Sequence, residues 1–379
     1  MISLDLFFGT YFISKHVNYH CSTRAFELLR KSNLLRLASP RTQQRWLSNF
    51  TCVPGLNNEF LTIIQKKLVG CEPKDRNAML CFDEMEIKNK YEYDARSKQV
   101  YGNAKKLQVV MARGLTSKWK QIIFFDFNTP MTKSLMEQII LACEKKGILV
   151  RGITFDLGNP KFQSETGIPK LENSMTNPMD PTRKVFLFPD IPHMVKLLRN
   201  HCLDAGLAFP NENGVFTELK MKDFKEIMQK DGEELKLCPK LKPIHLTAQG
   251  SMRQRVCLAT QLFSHTVAKA MVFHQGESAE GKSNAILTVN NYFDTMNSRT
   301  LHNAVPYRCA LGVHEELQIE SLLRMKKLVE TMKFCNDMGK RTMKPFQKGI
   351  LISIQSTLTL FQELKVRVHT CNEYYLNYI

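Results

Sequence analysis

Hydrophobic and polar positions change their rhythm more than once along these 379 residues. From 22 to 70 the apolar positions recur at helical spacing. Ser22 and Thr23 can cap a helix from Arg24 to Ser32, with Ala25, Phe26, Leu28 and Leu29 on one face. Ser39-Pro40 opens a second helix through Trp46 and Leu47, Pro54-Gly55 breaks the chain, and Asn58 to Val69 gives a third. From Ala78 the pattern predicts strands, at Ala78–Phe82, Glu86–Tyr93, Leu107–Ala112 and Gln121–Phe125, with Gly102-Asn103 as a turn between the second and third. Next comes an amphipathic helix, Thr132 to Lys146, whose face carries Leu135, Ile139, Ile140 and Cys143; Gly147 stops it. The strand after it, Leu149–Phe155, lies parallel to an earlier strand through a right-handed crossover.

Beyond this point the pattern is less regular. Four prolines punctuate residues 159–184, Val185–Phe188 is a short strand, and Asp190 caps a helix with Pro192 in its first turn. That helix ends near Gly206. Residues 207–300 read as helical in pieces, at Thr217–Gln229, Ser251–Phe273 and Ser283–Thr295. Residues 315–338 give another amphipathic helix, and Phe346–Ile379 reads as helix or strand.

Charge adds a partner class. There are 53 lysines and arginines against 36 acids, a formal net charge of +17, which suits a polyanion. Nucleic acid is the commonest such partner; an acidic membrane surface is a second, and a merely soluble basic protein a third. Arg36, Arg41 and Arg45 fall around the second predicted helix, so residues 1–75 could form a helix-turn-helix module that binds DNA. The plainer reading is a small helical bundle packed on the next domain. The eleven cysteines include no C-x-x-C pair, which excludes a zinc ribbon or a thioredoxin motif and suits free thiols in a reducing compartment. No apolar run approaches twenty residues, so no membrane span is expected. The apolar start, Leu6 to Ile13, lacks the basic flank of a signal peptide.

The chemistry-bearing residues are two aspartates. Asp83 ends the apolar run Ala78–Phe82, and Asp156 ends Leu149–Phe155. Carboxylates on adjacent strand ends can hold Mg²⁺ for phosphoryl transfer. A strand-end aspartate more often just caps a turn, so the residues alone leave both readings open. His193, Lys196, Arg199 and Arg253 could touch a phosphate or a metal, and a structural histidine or a solvated basic face would look the same. Gly276 to Ser283 has the residue types and spacing of G-x-x-x-x-G-K-[ST], but it follows a predicted helix and not a strand, and it reads as an ordinary loop.

Eight segments, in order, carry a resemblance: Phe82-Asp83-Glu84-Met85, Val110–Leu115, Asp126–Thr132, Asp156-Leu157-Gly158, Asp190–His201, Leu258–Ser264, Tyr292–Arg299 and Pro345–Ile350. From about residue 22 onward the chain resembles the P-element and THAP-type DNA transposases. The resemblance implies an α/β fold: an RNase H-like mixed sheet interrupted by a mostly helical insertion that binds GTP, preceded by a small helical region. It places the helical region at 1–75, the first part of the RNase H-like core at 76–184, the insertion at 185–340 and the start of the returning core at 341–379. Asp83 and Asp156 match the first two catalytic acids and would ligate Mg²⁺ or Mn²⁺. Asp294 matches the residue that reads guanine, with Phe293, Arg255 and Val256 around the same nucleotide.

The implied partners are DNA, both transposon ends and target, and GTP; the implied location is the nucleus, and family members assemble as homo-oligomers. The family's third acid is a glutamate beyond the insertion. Glu363 and Glu373 do not sit in its motif, and the zinc-dependent THAP module has no counterpart, so a truncated or decayed copy is expected. The alternative is a catalytically inactive, domesticated DNA-binding regulator that retains GTP.

Overall fold

The structure is a computed structural model that describes residues 23–32, 37–48, 53–95, 98–117, 119–210, 214–232, 236–336 and 342–367. Arg36 and Glu373 therefore lie outside the described residues.

Seven strands form the main sheet: β1 (Gly55–Leu56), β2 (Asn77–Glu86), β5 (Lys106–Gly114), β6 (Lys120–Phe127), β7 (Leu149–Phe155), β8 (Ser174–Thr176) and β9 (Lys184–Pro189). Their order across the sheet is β1-β6-β5-β2-β7-β9-β8. β2, β5 and β6 form an antiparallel meander, whereas β2, β7 and β9 run parallel. This is the expected RNase H-like mixed sheet. A two-stranded ribbon, β3 (Glu92–Asp94) with β4 (Gln99–Tyr101), projects between β2 and β5. The sequence pattern merged its first strand with the end of β2. β2 is buried as far as Phe82 and exposed from Asp83 onward, so its outer half has no apolar signature of its own.

Alternation assigns the two faces of the sheet. Leu80, Phe82, Val110, Ile153, Phe155 and Leu187 face one core, covered by α3 (Asn58–Leu68), α4 (Lys133–Lys145) and α5 (Pro160–Glu165). α3 buries Leu61, Ile64 and Leu68 in that core. The third predicted helix of the N-terminal region thus packs on the sheet. Local signals fix the ends of the covering helices: the Thr132 hydroxyl accepts from Leu135 N at 3.2 Å, and the Asn159 side chain accepts from Phe162 N at 3.1 Å. Two earlier helices, α1 (Thr23–Lys31) and α2 (Pro40–Ser48), match the expected pattern; Arg41 and Arg45 are exposed on α2.

After β9 comes α6 (Ile191–Ala205), capped by Asp190. Then a small sheet, β11-β10-β12, assembles from Phe216–Leu219, Leu207–Pro210 and Lys333–Phe334. Residues 207–300 were expected to be predominantly helical and 315–338 to be one helix, so these strands are a correction. Thr217–Gln229 splits into β11 and α7 (Met221–Lys230), and Ser251–Phe273 splits at Ser264. Its helical parts are α9 (Val256–Leu262) and α10 (His265–Gln275), after the short α8 (Ile244–Thr247). The stretch Val256–Gln275 is long and apolar enough to cross a membrane. It is broken where the Ser264 hydroxyl accepts from Val267 N, and Leu258, Ala259, Leu262, Val267, Ala268, Ala270 and Met271 are buried within the protein. α11 (Glu280–Met296), α12 (Glu315–Thr331) and α13 (Pro345–Arg367) complete the second core.

α13 joins the two cores. Ile350, Leu351 and Ile354 belong to the helical core, Ile352 to the sheet core, and Leu360, Phe361 and Leu364 pack on Phe186 and Phe188 of β9. Each such fully buried side chain contributes about 1.5–3 kcal/mol. Gly349 permits the approach: a Cβ there would lie 2.5 Å from the Met194 sulfur and 3.3 Å from Pro189 Cβ.

Candidate active site and a second cavity

The parallel registers decide where the carboxylates stand. Phe82 pairs with Phe155, and Phe155 pairs with Pro189. Each of the three is followed directly by an aspartate: Asp83, Asp156 and Asp190. The Asp190 amide donates to the Phe155 carbonyl at 2.7 Å, extending the ladder to the strand ends. Asp83 shares a face with Cys81, and Asp156 with Thr154, opposite to the Phe82–Phe155 core face. α13 covers this second face only beside β9, and a cleft of about 770 Å³ remains, lined by Asp83, Asp156, Asp190, Arg113, His193, Lys196 and Arg299 among others.

Beneath the carboxylates the other face is rigid. The Phe82 and Phe155 rings stack with centroids 5.6 Å apart, and Phe162 meets both edge-on at 5.0 and 5.1 Å. Gln108, buried, donates to the Asp83 carbonyl at 2.9 Å and so fixes β2 at the aspartate.

Asp83 Oδ1 accepts from the Glu84 amide at 2.8 Å, and Asp156 Oδ1 accepts from the Gly158 amide at 2.9 Å. Asp190 serves a different role. Its Oδ2 accepts from His193 N at 2.9 Å, capping α6, and burial pushes its carboxyl above the usual range. Burial pushes the His193 imidazole down, aided by Lys196, while Asp156, Asp190 and Asp83 pull it back up. Glu84 pairs with Lys106 at 2.5 Å. Among the described residues no three of His, Cys, Asp and Glu close into a metal shell. Two hard carboxylates on an open cleft nevertheless fit Mg²⁺, which keeps several waters and binds through one or two carboxylates plus substrate phosphates.

Other expected residues fall elsewhere. Arg199 is fully buried and donates to the Arg253 carbonyl at 2.7 Å, a structural role. Arg253 pairs with Asp204 on the surface. Glu363, on α13, does not line the cleft. Arg113 and Arg299 lie within two of the segments that carry the resemblance, Val110–Leu115 and Tyr292–Arg299, but sequence reasoning gave neither a role in the cleft, because nothing local shows that a distant strand and a helix end bring them to the two aspartates.

A second cavity, of about 960 Å³, lies in the helical unit. Asp294 and Phe293 of α11 line it, together with Asn290, Lys236, Lys240, His265, Tyr307 and Arg308. Asp294 Oδ2 accepts from Arg308 Nε at 3.0 Å and from Asn290 Nδ2 at 3.4 Å. Burial raises the Asp294 carboxyl and Arg308 lowers it. Arg255 and Val256 are not part of this wall, which corrects their assignment: Arg255 is exposed at the start of α9, and the wall-facing residues of that helix, Thr260 and Gln261, sit at its other end. The loop-like Gly281-Lys282-Ser283 is the first turn of α11. Lys282 pairs with Asp223 at 2.6 Å and the Ser283 hydroxyl donates to the Ala268 carbonyl at 2.8 Å, so both are structural.

Similarity to known proteins fits this geometry. Residues 52–166 match the family model for the TNP-like RNase H N-terminal domain, and residues 192–310 match that for the TNP-like GTP-binding insertion domain. The chain is similar over 96% of its length to a solved chain of the Drosophila P element transposase strand transfer complex, with 31% identity, a TM-score of 0.80 and 82% of that chain covered. It belongs to the P-element/THAP-type transposase family. The transposable element P transposase of Drosophila melanogaster is 32% identical over 351 residues, and the DNA transposase THAP9 of Homo sapiens is 22% identical over 316. The chain spans 45% and 34% of the lengths of these two relatives. Within the family frame, the sheet cleft falls at the RNase H-like unit and the second cavity within the insertion domain.

Proposed function

We propose that this chain provides the RNase H-like cleft and the guanine-nucleotide cavity of a P-element-type DNA transposase, acting on DNA phosphodiesters in the nucleus. The observation that carries this reading is the in-register placement of Asp83 and Asp156 on parallel β2 and β7. Asp83 and Asp156 would hold Mg²⁺ or Mn²⁺, which supplies Lewis-acid polarisation of the phosphodiester and a more acidic nucleophile. Arg113, Lys196 and Arg299 line the same cleft and suit the phosphate backbone on either side of the scissile bond. His193 faces these groups one turn into α6, where it can orient a phosphate oxygen.

The test is strand cleavage of duplex DNA with Mg²⁺ or Mn²⁺. Cleavage that falls about a thousandfold in Asp83→Asn or Asp156→Asn supports the transposase, since the metal's share of transition-state stabilisation amounts to several kcal/mol. One observation favours a second reading, a DNA-binding regulator without cleavage. Asp190 is committed to its helix cap and Glu363 is away from the cleft, so no third carboxylate stands free there among the described residues. DNA binding with no cleavage in the parent chain would decide for that regulator.

For the cavity in the insertion, we propose GTP as the ligand. Asp294 can accept from the N1 and N2 donors of guanine, and Phe293 offers an apolar wall for the base. Lys236 and Lys240 line the same cavity and suit the phosphates. Asp294→Ala is expected to reduce the preference for GTP over ATP by about tenfold to a hundredfold, the discrimination of one bidentate pair. Competition binding with a fluorescent guanine nucleotide measures this, and an unchanged preference would remove Asp294 from the role.

A further inference from the structure

The β3–β4 ribbon springs directly from the strand that carries Asp83. The chain leaves β2 only three residues after Asp83 and returns at Lys106, which pairs with Glu86. The ribbon therefore projects from the end of the sheet that carries the three aspartates. Its base is pinned. Ile87 N donates to the Lys105 carbonyl at 2.9 Å. The Asn128 side chain accepts from the amides of Lys105 and Lys106 at 3.0 and 3.2 Å and donates to the Asn103 carbonyl at 3.2 Å. Tyr101 packs on Phe127 with centroids 5.8 Å apart. The ribbon is a fixed arm on the sheet.

Its two faces differ. Tyr101, opposite Glu92, turns inward onto Phe127. Tyr93 stands directly opposite Val100, and Tyr91 lies two residues before Tyr93 on the same strand face. These three are 74% (Tyr91), 64% (Tyr93) and 64% (Val100) exposed. Gly102 makes room for the first ring, since a Cβ there would lie 2.1 Å from Tyr91 Cδ1. Lys98 and Lys105 are exposed along the ribbon, and Lys88 and Lys90 are exposed on its other side, where they line a groove with Glu92, Tyr101 and Phe127; among the described residues none of the four lysines has a carboxylate partner. Exposed aromatic rings on a fixed strand, flanked by unpaired cations, form a surface for stacking unpaired bases while the backbone is neutralised.

We propose that this ribbon is a binding arm for single-stranded DNA, holding an unpaired segment next to the Asp83–Asp156 cleft. The assignment rests on the DNA reading above. Tyr91 and Tyr93 stack on bases, and the lysines follow the phosphates.

The test is fluorescence anisotropy of the full chain with a labelled thymidine oligonucleotide of about twelve nucleotides and with a duplex of equal length. Tyr91→Ala/Tyr93→Ala is expected to weaken the single strand about tenfold or more, with a smaller change for the duplex, because each lost stack is worth a measurable share of binding. Tyr91→Phe/Tyr93→Phe, which retains the rings, is expected to stay within about twofold of the parent chain. Lys88→Gln/Lys90→Gln is expected to reduce the slope of log affinity against log salt by about 0.7 per lysine. An unchanged melting temperature shows that each variant is folded. If Tyr91→Ala/Tyr93→Ala binds the single strand as tightly as the parent, the proposal is overturned while the DNA reading stands. A shift in sedimentation with unchanged DNA affinity likewise overturns it, giving the face to a second copy of the chain. If the parent binds neither oligonucleotide, the DNA reading and the arm fall together.

Discussion

Glu144→Ala is expected to lower the unfolding free energy by about 3–5 kcal/mol, the range for removing one partner of a buried ion pair. Glu144 sits near the end of α4, and its side chain is 3% exposed. Its Oε1 accepts from Val150 N at 3.0 Å and from Asn177 Nδ2 at 2.8 Å, and its Oε2 accepts from Arg183 at 2.6 Å. One carboxylate thus ties the crossover helix to the first residues of β7 and to the segment that leads into β9, the two strands that carry Asp156 and Asp190. Alanine would leave the Val150 amide and the Asn177 amide without an acceptor and Arg183 buried with only Asp180 as counter-charge. Urea denaturation measures the loss. The double substitution Glu144→Leu/Arg183→Met is expected to recover much of it, because well-packed apolar replacements remove the desolvation cost of both charges together. A Glu144→Ala chain within about 1 kcal/mol of the parent would contradict this account of the network.

Phe155→Ala has a comparable expected cost, about 3–5 kcal/mol, from lost burial and the cavity left behind. Phe155 is 1% exposed and packs between Phe82 and Phe162. A second consequence links packing to chemistry. Phe155 precedes Asp156 directly, and its pairing with Phe82 sets the register that brings the two aspartates level. Divalent-ion affinity is therefore expected to fall in Phe155→Ala even though no ligand has been removed. Phe162→Leu, which keeps an apolar group in the same cluster without touching β7, is expected to cost less and to leave metal affinity nearly unchanged. Equal metal affinity in all three chains would show that the aromatic cluster does not position the carboxylates.

The parts of this site that were legible in the sequence are those with local causes. Leu149–Phe155 reads as a strand because it is short and rich in apolar and β-branched residues, Leu149, Val150, Ile153, Thr154 and Phe155, and it forms at those bounds. Thr132 and Asp190 announce helix starts because a side-chain oxygen there accepts an orphan amide, and both do so. Parts that depend on distant pairing were hidden. Thr217–Leu219 reads as the start of a helix, yet it is held in β11 by Leu207–Pro210, which in turn pairs with Lys333–Phe334 more than a hundred residues away. Ser251–Phe273 reads as one helix because its apolar positions continue through the break at Ser264. The second half of β2 was misread because Asp83 to Glu86 is solvent-exposed, so the hydrophobic pattern stops where the chemistry begins. At the cavity in the insertion, Asp294 and Phe293 line one wall, whereas Arg308 and the two lysines arrive from segments with no motif.

Asp83 and Asp156 are proposed to share one divalent cation. Titration of the 379-residue chain with Mn²⁺, followed by the loss of the free-ion electron paramagnetic resonance signal, tests it most directly. Asp83→Asn and Asp156→Asn are each expected to weaken Mn²⁺ binding by more than about tenfold, while Glu84→Gln, one residue away and paired with Lys106, binds as the parent does. Parent-like Mn²⁺ affinity in both asparagine variants would contradict it.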